Sequence, residues 1–196
     1  AIPDPAADRA LREAMNEVKG RTLIGVINSI GVRRDAQAVE QLADLVQDAD
    51  PSIASAAAVA LGKIGSEAAT AALRQSLADA PATVRSAVAE GCILCAERLL
   101  AGGEAEEAAR LYDEIRRADV PKQRLVEAIR GLILARQADG IPLLVEQLQS
   151  GDKDMVAIGL TTARELSGPG VSEELVEALE DVAPDVRALL ILALVD

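Results

Sequence analysis

The chain contains no histidine, no phenylalanine and no tryptophan, and its single tyrosine is Tyr112. Histidine is the commonest general base and metal ligand, and aromatic rings carry most stacking on bases and sugars. Whole classes of catalysis and nucleic-acid recognition therefore lack their usual residues. Positive charge is scarce as well: 20 Lys and Arg face 32 Asp and Glu, a formal net charge of −12. That balance opposes polyphosphate backbones and anionic lipid faces, so neither a nucleic acid nor a membrane is expected as a partner. Long hydrophobic runs are missing too. Nothing approaches the ~18 apolar residues of a membrane span, and the start lacks the basic and apolar regions of a signal peptide. A soluble chain is expected, with cytoplasm and periplasm both open. It opens at Ala1 and stops at Val195-Asp196 within an apolar stretch, which reads as a piece of a longer protein.

What is present is small and aliphatic, with 38 alanines among 196 residues. Such side chains suit stacked helices, and the chain repeats itself accordingly. One segment type carries Ile53, Ala56, Ala57, Ala60, Leu61 and Ile64 at helical i, i+3, i+4 spacing after Asp50-Pro51. It recurs after Pro81 with Val84, Val88, Cys92 and Cys95, after Pro121 with Ala128, Leu132 and Ala135, with Met155, Gly159 and Ala163, and after Pro184 with Val186 and Leu190. An earlier copy ends in Ile27, Ile30 and Gly31. Between these lie segments of a second type: Val39 to Val46, Ala69 to Leu77, Ala108 to Ile115, Ile141 to Leu148, and Leu175 to Leu179. The pattern predicts helix pairs with a period of roughly 31 to 34 residues. Prolines 51, 81, 121 and 184 stand where helices begin and a missing N–H costs little. Asp50 is an expected N-cap, and Ser172 before Glu173-Glu174 reads as another helix start. Gly31, Gly65 and Gly168-Pro169-Gly170 read as helix ends. The interval from Pro81 to Pro121 is 40 residues and predicts two lengthened helices broken at Gly102-Gly103, similar to a tetratricopeptide unit.

These residues resemble the HEAT-repeat family, in particular its short bacterial form also seen in phycobilisome lyase subunits. The resemblance rests on Val84-Arg85 and Val186-Arg187 after a turn proline, on Ala60-Leu61-Gly62-Lys63-Ile64-Gly65, and on an aspartate six residues before an arginine, Asp79 with Arg85 and Asp181 with Arg187. In the family, such pairs form a ladder between neighbouring units. Here the ladder is incomplete: Ala54 stands where arginine is expected, Arg124 is shifted from Asp119, and Val156 follows Ser150. The resemblance implies an all-α, right-handed α-solenoid of about five antiparallel helix pairs. We read residues 1–196 as one array: a lead-in at 1–17, then units at 18–48, 49–79, 80–118, 119–150 and 151–196.

Three features are candidates for chemistry or binding. Cys92 and Cys95 form a Cys-x-x-Cys, but they align with Leu61 and Ile64, lie some eight residues into a helix and lack companion ligands, so they read as small core hydrophobes. Asp48, Asp50, Asp79, Asp119, Asp152, Asp154, Asp181 and Asp185 fall in one set of turns, as helix caps or as an acidic ridge for a basic partner or divalent ions. The opposite turns carry Arg33, Arg34, Lys63, Arg98 and Arg136, giving a second charged edge. On the inner surface of such arrays, one row reads Ile24, Ala58, Ala89, Ile129, Leu160 and Ile191, and the next Asn28, Gly62, Ile93, Ile133 and Arg164. In that register an aliphatic groove suits an amphipathic helix or extended peptide, and a shift of one residue turns the same side chains into core. Phosphate loop, nucleophile elbow and dinucleotide fingerprint are absent. No catalytic, cofactor-binding or metal-ligating residue is assigned. The expected role is a non-catalytic scaffold for a protein or peptide partner, self-associating through the apolar end at Leu189 to Val195. The alternative is a subunit of a HEAT-like enzyme such as a chromophore lyase.

Overall fold

The computed structural model describes residues 4–168 and 170–195, the side chains of residues 181 and 192–195 excepted. Among these residues twelve α-helices follow one another: α1 Pro5–Glu17, α2 Gly20–Arg33, α3 Val39–Leu45, α4 Pro51–Ile64, α5 Glu67–Asp79, α6 Ala82–Ala101, α7 Ala105–Arg117, α8 Lys122–Arg136, α9 Ile141–Gln149, α10 Lys153–Glu165, α11 Val171–Asp181 and α12 Pro184–Val195. No strand occurs among the described residues. The even-numbered helices form a row in which α2 packs on α4, α4 on α6, α6 on α8, α8 on α10 and α10 on α12, and odd-numbered helices back them. This is an all-α solenoid. The pairs in contact among the described residues number five, as expected, α1 with α2, α3 with α4, α5 with α6, α7 with α8 and α9 with α10, so that the lead-in α1 belongs to the first, while α11 packs on α9.

Local chemistry explains most boundaries. Asp50 caps α4 by accepting from the Ser52 N–H at 2.8 Å, and Asp152 caps α10 by accepting from Asp154 at 2.9 Å. Pro51 opens α4 and Pro184 opens α12, while Pro81 and Pro121 each stand one residue before a helix. Gly65 closes α4 in the left-handed conformation. Of the two lengthened helices expected, one is present: α6 runs for 20 residues and stops at Gly102-Gly103, whereas α7 has 13 residues, no more than α1, α5 or α10. Other expected ends are corrected. Gly31 does not close α2. The helix continues to Arg33, and Arg34 takes the left-handed position with φ 56°. Ser172 is not a cap, since α11 begins at Val171 after Gly170. Of the expected Gly168-Pro169-Gly170 terminator, Pro169 lies outside the described residues, and α10 has already ended at Glu165.

The apolar faces condense into two cores. The first joins α1 to α8 through side chains such as Ile27, Leu61, Val88 and Leu132, and the second joins α8 to α12 through Ile133, Leu144, Ala163 and Leu190. Each fully buried Leu or Ile contributes about 1.5–3 kcal/mol by leaving water. The cores meet on α8, where Leu132 faces the first and its neighbour Ile133 the second.

Candidate functional site

Most of the expected aliphatic inner rows lie in the interior. Ala58, Gly62, Ala89, Ile93, Ile129 and Ile133 are buried, and only Ile24, Asn28, Leu160, Arg164 and Ile191 keep access to solvent. The reason is a register shift of one residue on α4, α6 and α8, so that the accessible positions are Val59, Glu90 and Arg130, then Lys63, Leu94 and Leu134. Gly62 illustrates the difference: a Cβ built there would lie 2.6 Å from the Gly91 backbone, so it is a helix-to-helix contact.

On the accessible strip, the middle of the array is ionic. Arg124 on α8 donates to Glu90 on α6 at 2.6 Å and to Glu127 at 2.7 Å. Arg130 of α8 bonds Glu165 at the end of α10, and Arg85 of α6 bonds Asp119 ahead of α8. Lys122 reaches Asp152 at 2.9 Å and Asp154 at 2.6 Å. A ladder therefore exists, with partners other than those expected. Arg85 bridges forward to Asp119 of the next unit; its Nε donates to the Ala80 carbonyl. The side chain of Asp181, expected beside Arg187, lies outside the described residues. The aspartate-rich edge divides between caps and this ladder, because Asp50 and Asp152 cap helices while Asp119, Asp152 and Asp154 hold cations.

The apolar opening lies further along, between α10 and α12. Val156, Leu160, Val186 and Leu189 line a hollow of roughly 590 Å³, floored by Leu148 and rimmed by Lys153 and Asp185. It arises because α10 buries only Gly159, Thr162 and Ala163, leaving Val156 and Leu160 half-accessible on the side where α12 lies. Leu189 and Ile191 of α12 remain 41% and 44% exposed. Of the expected row residues, only Leu160 belongs to this hollow. Val156, Val186 and Leu189 were not assigned to it, although Val156 and Leu160 stand four residues apart and so share a helix face.

Reactive groups are held away from solvent. Cys92 and Cys95 are free thiols at 0% and 1% exposure, and burial pushes both above the ordinary thiol range. They serve as core side chains beneath α4, with Cys95 Sγ 4.0 Å from the Gly62 carbonyl. Tyr112 is buried against Gly131, and the same loss of water raises its phenol pKa. Among the described residues, no group of three or more Cys, Asp or Glu converges as a metal would require.

Known proteins confirm the repeat. Residues 9–92 match the family described as HEAT repeats, so the resemblance read from the residues is shown over that stretch. The array as a whole shares the fold of a chain in the complex of CpcE and CpcF of phycocyanin lyase from Nostoc sp. PCC7120. The identity is 18%, the coverage 97% of this chain and 77% of that one, and the TM-score 0.57. A looser likeness, with 19% identity, coverage of 96% and 95% and a TM-score of 0.46, links it to an engineered protein. No curated protein matches in sequence.

Proposed function

We propose that this repeat array is a non-catalytic scaffold that holds an amphipathic helix of a partner protein in the α10–α12 hollow. The observation that carries the reading is the unfilled aliphatic surface of Val156, Leu160, Val186 and Leu189 on a packed stack of helices. Helix-in-groove recognition needs such a strip, with polar groups at its rim to fix orientation, and Lys153 and Asp185 stand there. The mechanism is shape: each pair buries its apolar face on its neighbours, and α10 and α12 leave an aliphatic slot between them. A labelled helical peptide with leucines at i, i+3, i+4 and i+7, titrated by fluorescence anisotropy, should bind and should lose binding on Leu160→Asp and on the more exposed Leu189→Asp. A flat titration, or binding indifferent to both substitutions, overturns the reading.

The enzyme-subunit alternative draws on the likeness to a chain of the phycocyanin lyase complex, which is a likeness of fold. This chain has no histidine or tryptophan to hold a tetrapyrrole. Titration with free bilin should leave its absorbance spectrum unchanged, and a saturable shift would favour the alternative.

A further inference from the structure

A second hollow, of roughly 690 Å³, lies at the other end of the array, where α2, α4 and α6 terminate side by side. Arg34, Lys63 and Arg98 line it, one from each of three successive units, together with Glu97, Val32 and Leu94. Close packing brings them together: a Cβ on Gly31 would lie 2.9 Å from Ala60 and one on Gly62 would lie 2.6 Å from Gly91, so these helices approach to backbone contact near the ends that carry the cations. We propose that this hollow binds an acidic peptide segment of a partner protein, one with an apolar side chain beside its carboxylates.

Charge is the first argument. Elsewhere in the array, Arg33, Arg85, Arg124 and Arg130 each hold a carboxylate, whereas Arg34, Lys63 and Arg98 form no ion pair among the described residues. Three cations against the single acid Glu97 leave the hollow positive within a chain of net charge −12. The partial charge of a helix C-terminus favours a nearby cation by about 0.3–1 kcal/mol, and each of the three stands at one such end, which offsets it by roughly half a charge. That does not neutralise three that share a single hollow and repel one another. An incoming carboxylate does, and the guanidinium forks of Arg34 and Arg98 suit it in two-pronged geometry. Apolar surface is the second argument. Val32 is 60% exposed, and Leu94 lines the same hollow, so a bare inorganic anion would leave its aliphatic wall uncovered. Polynucleotide is disfavoured because its long charged backbone would cross the surrounding acidic surface.

The site is separate from the α10–α12 hollow, and so is its test. The full chain is titrated with a labelled peptide of alternating glutamate and leucine, with the glutamine–leucine peptide as control. The glutamate peptide should bind and weaken as salt is raised, and Arg34→Glu with Lys63→Glu should weaken it about tenfold or more. Reversal of two exposed arginines elsewhere, Arg21→Glu with Arg136→Glu, changes net charge equally and should leave affinity within about twofold. Arg34→Gln, at an exposed position, keeps the test valid if the double reversal perturbs folding, and should cost about threefold. Leu160→Asp should change nothing here, so failure of one site is distinguishable from failure of the other. No binding, equal loss from both reversal pairs, equal binding of the glutamine peptide, or tighter binding of a single-stranded oligonucleotide each overturns the proposal.

Discussion

Between α2, α4 and α6, neighbouring helices of the row meet backbone to backbone, through Gly31 on Ala60 and Gly62 on Gly91. Between α8, α10 and α12 the glycines point elsewhere. Gly131 receives the ring of Tyr112 from α7, and Gly159 receives Leu148 from α9, so in this half glycine makes room for the partner helix within a pair. Row neighbours in the second half are linked instead by side chains, Lys122 to Asp152 and Arg130 to Glu165. One repeat pattern thus yields two kinds of layer, and the kind of layer sets what surface is left. Close approach gathers helix ends and their cations into one hollow; wider spacing leaves an aliphatic slot between α10 and α12.

The comparison breaks most visibly in the cores. Leu61 belongs to the first core and Ile133 to the second, both at 0% exposure. Truncating either to alanine should cost about 2–5 kcal/mol, the transfer term plus a residual cavity. Native-state hydrogen exchange should then separate them. Ile133→Ala should lower protection across α9 to α12 while α2 to α6 keep theirs, and Leu61→Ala should do the reverse, as expected when stability is a sum over neighbouring units. A single transition lowered equally everywhere by both variants would mean the halves are one cooperative body.

A smaller effect sharpens the packing contrast. Gly62→Ala drives a methyl into the Gly91 backbone, which cannot rotate away, and should destabilise by about 1–3 kcal/mol. Gly159→Ala meets the end of the Leu148 side chain at 2.8 Å, which can shift, and gains about 1 kcal/mol of helix propensity, so it should fall within about 1 kcal/mol of neutral. Urea unfolding of the two variants reads the difference directly. Equal costs would show that α4 and α6 can separate as readily as α9 and α10.

How much of this was legible in the sequence follows from which signals are local. Helix pairs, turn prolines and the Asp50 cap are written within a few residues, and they stand as read. The lengthened α6 showed itself in proline spacing. The site was less legible because it depends on relations between units. A spacing of six residues suggested Asp79 with Arg85, yet the bond goes to Asp119, 34 residues on. Gly31 carries the signature of a helix end, yet Ala60 of the next unit requires a residue without a side chain there. The one-residue shift of the inner row has the same origin, since Ala58 and Ala89 differ from Val59 and Glu90 only in which neighbour they face. Of the hollow between α10 and α12, the sequence shows Leu160 in the inner row, Leu189 in the apolar end and Asp185 in the acidic turns, but not that the fold brings them together.

The smallest expected effect concerns the ion pairs that take the place of backbone contact between α8 and α10. Hydrogen bonds from the Lys122 ammonium hold the Asp152 carboxyl below its usual value of 3.8, and bonds to Asp154 and Asp152 raise Lys122 above 10.5. The signs follow. Stabilisation through Asp152 is present above the unfolded value and is lost as pH falls through the lower folded one. Stabilisation through Lys122 is present below its unfolded value and is lost as pH rises through the higher folded one. Both groups are solvent-exposed and screened by salt, so the junction should be steady across neutral pH and loosen slightly only in acid or strong base. Asparagine caps a helix about as well as aspartate, so Asp152→Asn removes the charge and keeps the cap. Amide protection at the start of α10, corrected for the intrinsic exchange rate at each pH, should therefore fall in acid for the parent chain and stay closer to flat for Asp152→Asn. If both respond alike, the side-chain ladder does not hold this half of the array together, and the contrast with the glycine-packed half reduces to apolar packing alone.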